Sequence, residues 1–249
     1  MSTTLCIVEV PKRDTSGTYS LAARRFGGTS LVEWVVRRVS ESLLVERIIV
    51  TCEATQKEAL RRLVPPNVTV LGGEYKDSLA RYAAAARTAD ASAIVRVSID
   101  RPFVDPVLID RLVCDANGHP GTDYVGYVSE DGRSALQAKL GVFADLLRAD
   151  AIFEAERVAM DPADRADITR FMCSRPDSFQ LRLLQAPARL DRRDIRLTID
   201  GEEDWEHANL ILDALGPEQL DWQGIADLLA NQPDLRHRMA ALNETDVTA

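Results

Sequence analysis

The chain has 249 residues, 46% hydrophobic and 28% charged, with a formal net charge of −9. It can bury a substantial core, and its acidic balance argues against a sequence-independent nucleic-acid binder, although a nucleotide held by a few local bases and a metal stays open. Cys6, Cys52, Cys114 and Cys173 show no C-x-x-C spacing, and neither a signal-peptide pattern nor a membrane-length apolar run is present, so the expectation is a cytoplasmic chain with no disulfide framework, zinc site or membrane partner.

Leu5–Val10 reads as a first strand stopped by Pro11. Lys12 to Gly28 has loop chemistry, with Ser16-Gly17-Thr18 and Gly27-Gly28 interleaved with Lys12, Arg13, Arg24 and Arg25. Ser30 begins a helix whose apolar face carries Leu31, Val35 and Val39. Arg47–Cys52 reads as a second strand, Thr55–Leu63 as a helix closed by Val64-Pro65-Pro66, and Val68–Leu71 as a third strand. Asp77 caps a helix running to about Thr88. The stretch Val95–Pro106 then starts as an alternating strand and breaks at Asp100 before Arg101-Pro102. Asp105 is the next N-cap, with Pro106 in the first helical turn. Strand and helix alternating at this spacing predict a doubly wound α/β unit with a mainly parallel sheet.

The second half is less regular. Asp123–Ser129 and Gln137–Phe143 read as strands around an exposed turn at Glu130–Arg133, and Ala144–Arg157 and Pro162–Met172 as helices. Phe179–Gln185 and Ile195–Asp200 alternate as strands, Glu202–Leu215 is helical, and two short helices lie around Ile225–Leu229 and Leu235–Leu242. No repeat or linker divides the chain, so one domain, 1–249, is expected.

Two acids stand out. Asp100 lies at the carboxyl end of a strand, the edge where open α/β sheets bind ligands, and a carboxylate there suits Mg²⁺; it equally suits a cap on the turn before Pro102. Asp200 repeats that setting before Gly201 and a helix start, as a metal ligand or as a cap, whereas Asp204 reads as the helix cap. The basic loop Lys12–Gly28 stands where such folds meet phosphates, or it is a solvated surface loop; it matches neither a P-loop nor a dinucleotide fingerprint. His119, His207 and His237 lack metal-ligand spacing and read as solvated. Trp34, Trp205 and Trp222 read as packing anchors. No G-x-S-x-G is present, which leaves a nucleophile-elbow hydrolase without support.

The segments GGEYKDSLARYAAAA, AIVRVSIDRPFVDPVLIDRLV, DYV, RADITRFM and RLTIDGEEDW stand in the order of motifs that resembles spore-coat polysaccharide biosynthesis protein F-type nucleotidyltransferases, relatives of the CMP-sugar (sialic acid and Kdo) cytidylyltransferases. The resemblance covers nearly the whole chain. It implies a GT-A-like nucleotide-diphospho-sugar transferase fold, a mainly parallel mixed sheet in an α/β/α sandwich. Residues 1–118 would form its nucleotide-binding half, 119–216 its sugar-side half and 217–249 its C-terminal helices. It also implies condensation of an NTP, usually CTP, with an acidic or modified sugar, releasing pyrophosphate.

By resemblance Asp100 matches the acid of the family's G-D-x-P motif and Asp200 that of L-T-x-D, both as Mg²⁺ ligands. Arg81 matches the arginine of D-x-L-x-R-Y near the nucleotide, and Arg165 and Thr169 match the outer residues of R-E-H-V-T on the sugar side. Arg24, Arg25, Lys12, Arg13 and Ser16 offer chemistry similar to the family's phosphate loop. The departures are chemical: Gly27-Gly28-Thr29 replaces the loop's closing lysine, and Ile99 the glycine before the first acid. Ala166-Asp167 replaces the Glu-His pair, and the acid of G-x-x-V-E-x-F has no equivalent within Lys139–Phe143. Each lost charge-assisted contact costs about 1.5–3 kcal/mol. The expectation is therefore a Mg²⁺-dependent nucleotidyltransferase and homodimer. A catalytically reduced nucleotide-binding or scaffolding relative is the alternative, and a GT-A glycosyltransferase the further one.

Overall fold

Strand β1 (Thr4–Glu9) turns Cys6 and Val8 to one face and Leu5 and Ile7 to the other, and all four are inaccessible to solvent. A strand apolar on both sides needs cover on both sides, and that requirement sets the architecture. The computed structural model describes residues 3–11 and 21–247.

After β1 a short hairpin, β2 (Arg25–Phe26) and β3 (Thr29–Ser30), leads into α1 (Leu31–Ser40). Then come β4 (Arg47–Glu53), α2 (Lys57–Arg61), β5 (Thr69–Gly73), α3 (Ser78–Ala89), β6 (Ala93–Ser98) and α4 (Pro106–Gly118). The second half holds β7 (Tyr124–Val128), β8 (Asp145–Arg148), α5 (Ala149–Val158), α6 (Pro162–Ala166), α7 (Ile168–Cys173) and β9 (Leu181–Gln185). The chain closes with α8 (Glu202–Leu215), α9 (Trp222–Ala230) and α10 (Pro233–Val247). Among the described residues, none of these helices is long and apolar enough to cross a membrane.

The caps explain the helix starts. Ser30 Oγ accepts from Glu33 N at 3.3 Å and Asp77 Oδ1 from Ala80 N at 2.8 Å. Asp105 Oδ1 accepts from Val107 N and Leu108 N, at 2.9 and 3.0 Å. Each such cap contributes about 1 kcal/mol. Asp105 Oδ2 also accepts from Trp222 N at 2.9 Å, tying the start of α9 to the start of α4.

Among the described residues the main sheet has seven strands in the order β5-β4-β1-β6-β8-β7-β9. Strand β8 runs antiparallel to both β6 and β7, and every other pairing in it is parallel. Strands β1, β4, β5, β6, β7 and β9 therefore end at one edge. Helices α1, α4, α8 and α9 cover one face through Val35, Leu112, Ile211 and Ile225; α3, α5 and α7 cover the other through Leu79, Ile152 and Phe171. This is the mainly parallel α/β/α sandwich expected.

Four predicted elements are corrected. Gln137–Phe143 and Ile195–Asp200 are irregular rather than strands, because their backbone groups bond to one another and to loops. The helix predicted from Ala144 begins at Ala149, since Asp145–Arg148 is recruited as β8. The helix predicted over Pro162–Met172 breaks at Asp167, which caps α7 by accepting from Arg170 N at 3.0 Å. His207 is 1% exposed, not solvated.

Candidate active site

Asp100 follows β6 at the sheet's carboxyl edge. Its Oδ1 is buried with no hydrogen-bond partner among the described residues, although the side chain as a whole is 27% exposed. The nearest cation, Arg101 Nε, stands 3.8 Å away, beyond hydrogen-bond reach. Burial raises the carboxyl's pKa above the usual carboxylate value; Arg101 and the Ser98 hydroxyl oppose the shift, while the negative charges of Asp200 and Glu9 add to it.

Asp200 reaches the same place by a different route. Ile199 N donates to the Asp100 carbonyl at 2.8 Å, and Leu197 N donates to the Lys139 carbonyl at 2.9 Å. The chain passes so closely that a Cβ on Gly141 (φ +63°) would lie 2.2 Å from the Leu197 carbonyl oxygen, which only glycine avoids. Arg196, 4% exposed, donates to Asp204 at 2.7 and 3.2 Å and to Asp200 Oδ2 at 3.0 Å. Asp204 also accepts from the backbone N of Asp200 and of Gly201, both at 3.0 Å, so it is the helix cap expected and an anchor for Arg196 as well. Lys139 Nζ lies 2.9 Å from Asp200 Oδ2, and Thr198 Oγ1 donates to it at 3.2 Å. All these contacts fall on Oδ2; among the described residues Asp200 Oδ1 accepts none.

Among the described residues each acid thus keeps one oxygen without a hydrogen-bond donor. Among the described residues no set of three or more His, Cys, Asp or Glu side chains could hold a metal. A cation at this point would draw on two carboxylates and on substrate oxygens, an all-oxygen donor set that fits Mg²⁺.

Of the predicted phosphate-loop residues, Lys12, Arg13 and Ser16 lie outside the described residues. Arg24 donates through both terminal nitrogens to Glu202, at 2.7 Å each, and stacks 3.9 Å from the centroid of Trp205. Glu202 is two positions beyond Asp200, so Arg24 stands at the rim of the two-acid site. Arg25 is exposed and donates to the Gly28 carbonyl. An aromatic hub holds this turn in place: Phe26 packs edge-on against Trp34, Phe103 and Trp205, with centroids 5.1, 6.0 and 5.7 Å apart. Trp34 Nε1 donates to the Pro102 carbonyl at 2.8 Å, linking the hub to the turn after Asp100. The tryptophans at 34 and 205 are packing anchors, as expected.

Arg81 is 8% exposed, and its Nη2 lies 3.1 Å from Glu9 Oε1, at the carboxyl end of β1. Its Nε and Nη1 have no hydrogen-bond partner among the described residues. Tyr82 donates to the other oxygen of Glu9. Arg165 is occupied, donating to Asp77 at 2.6 and 3.3 Å and to the carbonyls of Glu156 and Ala159, which braces α6 against the start of α3. Thr169 is buried in a network in which its Oγ1 donates to Asp145 Oδ2 at 3.0 Å and accepts from Arg96.

Asp145 was not found from sequence. It is fully buried on β8, opposite Arg96 in the β6–β8 register, and takes Arg96 Nε at 3.0 Å and Nη2 at 2.5 Å. Gly141-Val142-Phe143-Ala144-Asp145 has the spacing of G-x-x-V-E, so the acid sought within Lys139–Phe143 stands two residues beyond it. Lys139, Arg196 and Glu202 were also missed. For Lys139 the usable signal is its left-handed backbone (φ +55°), which a sequence does not display.

Comparison with known proteins places the fold. The MobA-like NTP transferase domain model matches residues 18–172. The spore coat polysaccharide biosynthesis protein SpsF of Bacillus subtilis (strain 168) is 26% identical over 219 residues, covering 85% of this chain and 88% of SpsF. A cytidylyltransferase from Leptospira borgpetersenii serovar Hardjo-bovis (strain JB197) superposes with a TM-score of 0.76 at 18% identity, covering 94% of this chain and 95% of that one. A CMP:2-keto-3-deoxy-manno-octonic acid synthetase, complexed with CTP, superposes with a TM-score of 0.62 at 9% identity, covering 86% and 98%. With more than half of its length matched and the same sheet underneath, the chain belongs to the MobA-like NTP transferase family.

Proposed function

We propose that this protein is a Mg²⁺-dependent nucleotidyltransferase that activates a sugar with a nucleoside triphosphate, CTP first among them, for surface polysaccharide assembly. The observation that carries this reading is the buried Oδ1 of Asp100, unpartnered among the described residues, beside Asp200 at the carboxyl edge. A buried carboxylate oxygen without a donor is costly to keep, and a cation brought by a substrate relieves that cost. Asp100 and Asp200 would hold Mg²⁺, which when bound neutralises charge building on the phosphates. Arg24 orients the phosphate chain from the rim, and Arg81 offers its spare donors to the nucleotide. An acceptor oxygen attacks the α-phosphorus, the bond to the oxygen bridging toward the β-phosphorus breaks, pyrophosphate leaves with that oxygen, and the acceptor's proton passes to solvent. We assign the sugar to the side of Arg165 and Thr169, and a homodimer as the assembly.

A second reading has one observation in its favour. Asp200 Oδ2 is already matched by Lys139 and Arg196, which suits a relative that binds nucleotide without transferring it. Calorimetry with CTP and the other triphosphates, with and without Mg²⁺, combined with pyrophosphate release over a panel of acidic sugars, separates the two. Metal-dependent binding lost in Asp100→Ala, with pyrophosphate release, is the expected result. Binding without release selects the second reading, and no triphosphate binding defeats both.

A further inference from the structure

Arg24 has two partners of opposite character. Trp205 is 9% exposed and fixed by Phe26. Glu202 has a side chain 69% exposed, sits in the first turn of α8, and has no other partner among the described residues. Stacking over an indole fixes the plane of a guanidinium while using none of its N–H donors. The carboxylate takes those donors in a two-pronged fork, the same geometry in which arginine grips a pair of phosphate oxygens.

We propose that Trp205 is the positioning residue that presents Arg24 to the triphosphate, and that Glu202 is an internal anion which the triphosphate displaces from the guanidinium fork. This rests on the phosphate-orienting role of Arg24 given above and adds how the site is kept before substrate arrives. An exposed ion pair is weakly held, whereas a polyphosphate carries several charges to the same fork. The exchange is local: Glu202 leaves toward solvent, the indole keeps the guanidinium in place, and the rim next to Asp200 changes from self-neutralised to substrate-bound. The departure of one carboxylate also removes a negative charge that would repel the incoming phosphates.

The test is calorimetric titration of the full chain with inorganic tripolyphosphate and with CTP, each with Mg²⁺. Glu202→Gln keeps the side-chain size on an exposed position and is expected to bind both ligands more tightly, by up to about tenfold. Trp205→Leu is expected to weaken both by up to about tenfold by letting the guanidinium swing, with circular dichroism confirming that the variant is folded. Both effects vanish in an Arg24→Ala background. If Glu202 were only a structural latch for the turn, Glu202→Gln would weaken binding instead; that sign, an unchanged affinity, or a gain that persists without Arg24 overturns the inference while leaving nucleotide binding intact. A wild-type chain that binds neither ligand overturns this inference and the proposed function together.

Discussion

Replacing Asp100 with Asn is expected to make the protein more stable and unable to bind a metal-nucleotide complex. In the wild-type protein one oxygen of this carboxylate is buried without a hydrogen bond from any described residue. Arg101 at 3.8 Å returns about 4 kcal/mol at an effective dielectric of about 20. Against that stand the loss of hydration, several kcal/mol per ion, and repulsion from Asp200 and Glu9. Burial wins, as the raised pKa records. Asn removes the charge but leaves one neutral polar atom unpaired, so the net gain is about 1–2 kcal/mol, or about 2–8 °C in Tm for a chain of this size. The sign with pH follows from linkage. A carboxyl that titrates higher in the folded than in the unfolded state gives the folded state the tighter hold on the proton, so the wild type gains stability as pH falls through that raised value. The advantage of Asp100→Asn is therefore widest at neutral pH and closes on descent to about pH 4. Thermal denaturation of both proteins from pH 7 to 4 reads this directly. A lower Tm for Asp100→Asn at pH 7, or a gap that does not change with pH, refutes the reasoning.

Three further outcomes follow from other parts of the molecule. Gly27→Ala should cost about 2–4 kcal/mol in urea denaturation, because its Cβ would lie 2.2 Å from the Trp34 ring at a φ of +55°. His207→Leu should flatten the dependence of stability on pH between 7 and 5: burial lowers the imidazole's pKa, with Arg238 adding, so the folded state resists the proton and the wild type loses stability as pH falls below about 6.5. Asp145→Ala should cost about 3–5 kcal/mol by leaving Arg96 buried and uncompensated, and the double variant Asp145→Leu with Arg96→Met should recover most of that loss in the same denaturation assay.

The first half was legible because its signals are local. Ser30, Asp77 and Asp105 cap helices where their side-chain chemistry and the apolar runs behind them say they should. Asp100 was readable for the same reason, at the end of an alternating run. The second half failed where pairing decided. In Ile195–Asp200 both the apolar positions, Leu197 and Ile199, and the polar ones, Arg196 and Thr198, are buried, so the alternation did not mean one wet face and one dry one. Asp145 sits in an apolar run and is neutralised by Arg96 across the antiparallel register, a partnership invisible until β6 and β8 are side by side. His207 was readable in principle. Asp204, His207, Ala208, Ile211 and Leu212 are all buried, the i, i+3, i+4, i+7, i+8 stripe of a core-facing helix, and His207 lies within it.

The way the second acid is held bears on what the site can do. Asp100 stands in the turn just beyond β6, where Ile99 N donates to the Glu9 carbonyl and Arg101 N to the Ser98 carbonyl, so the end of the ladder holds it. Asp200 has no ladder. It is placed by Arg196, which is placed by Asp204, which also clamps the two backbone amides leading into α8. Buried, hydrogen-bonded charges of this kind orient a functional carboxylate in the way outer-shell partners orient metal ligands. Among the described residues the arrangement leaves Asp200 with one oxygen committed to cations of its own chain and one uncommitted, beside an Asp100 whose buried oxygen lacks a hydrogen-bond partner. Lys139 is the adjustable member: it reaches Asp200 on a flexible stem, whereas Arg196 is locked in the core. Both cations meet the same oxygen of Asp200, Oδ2, the lysine from a flexible stem and the arginine from the core.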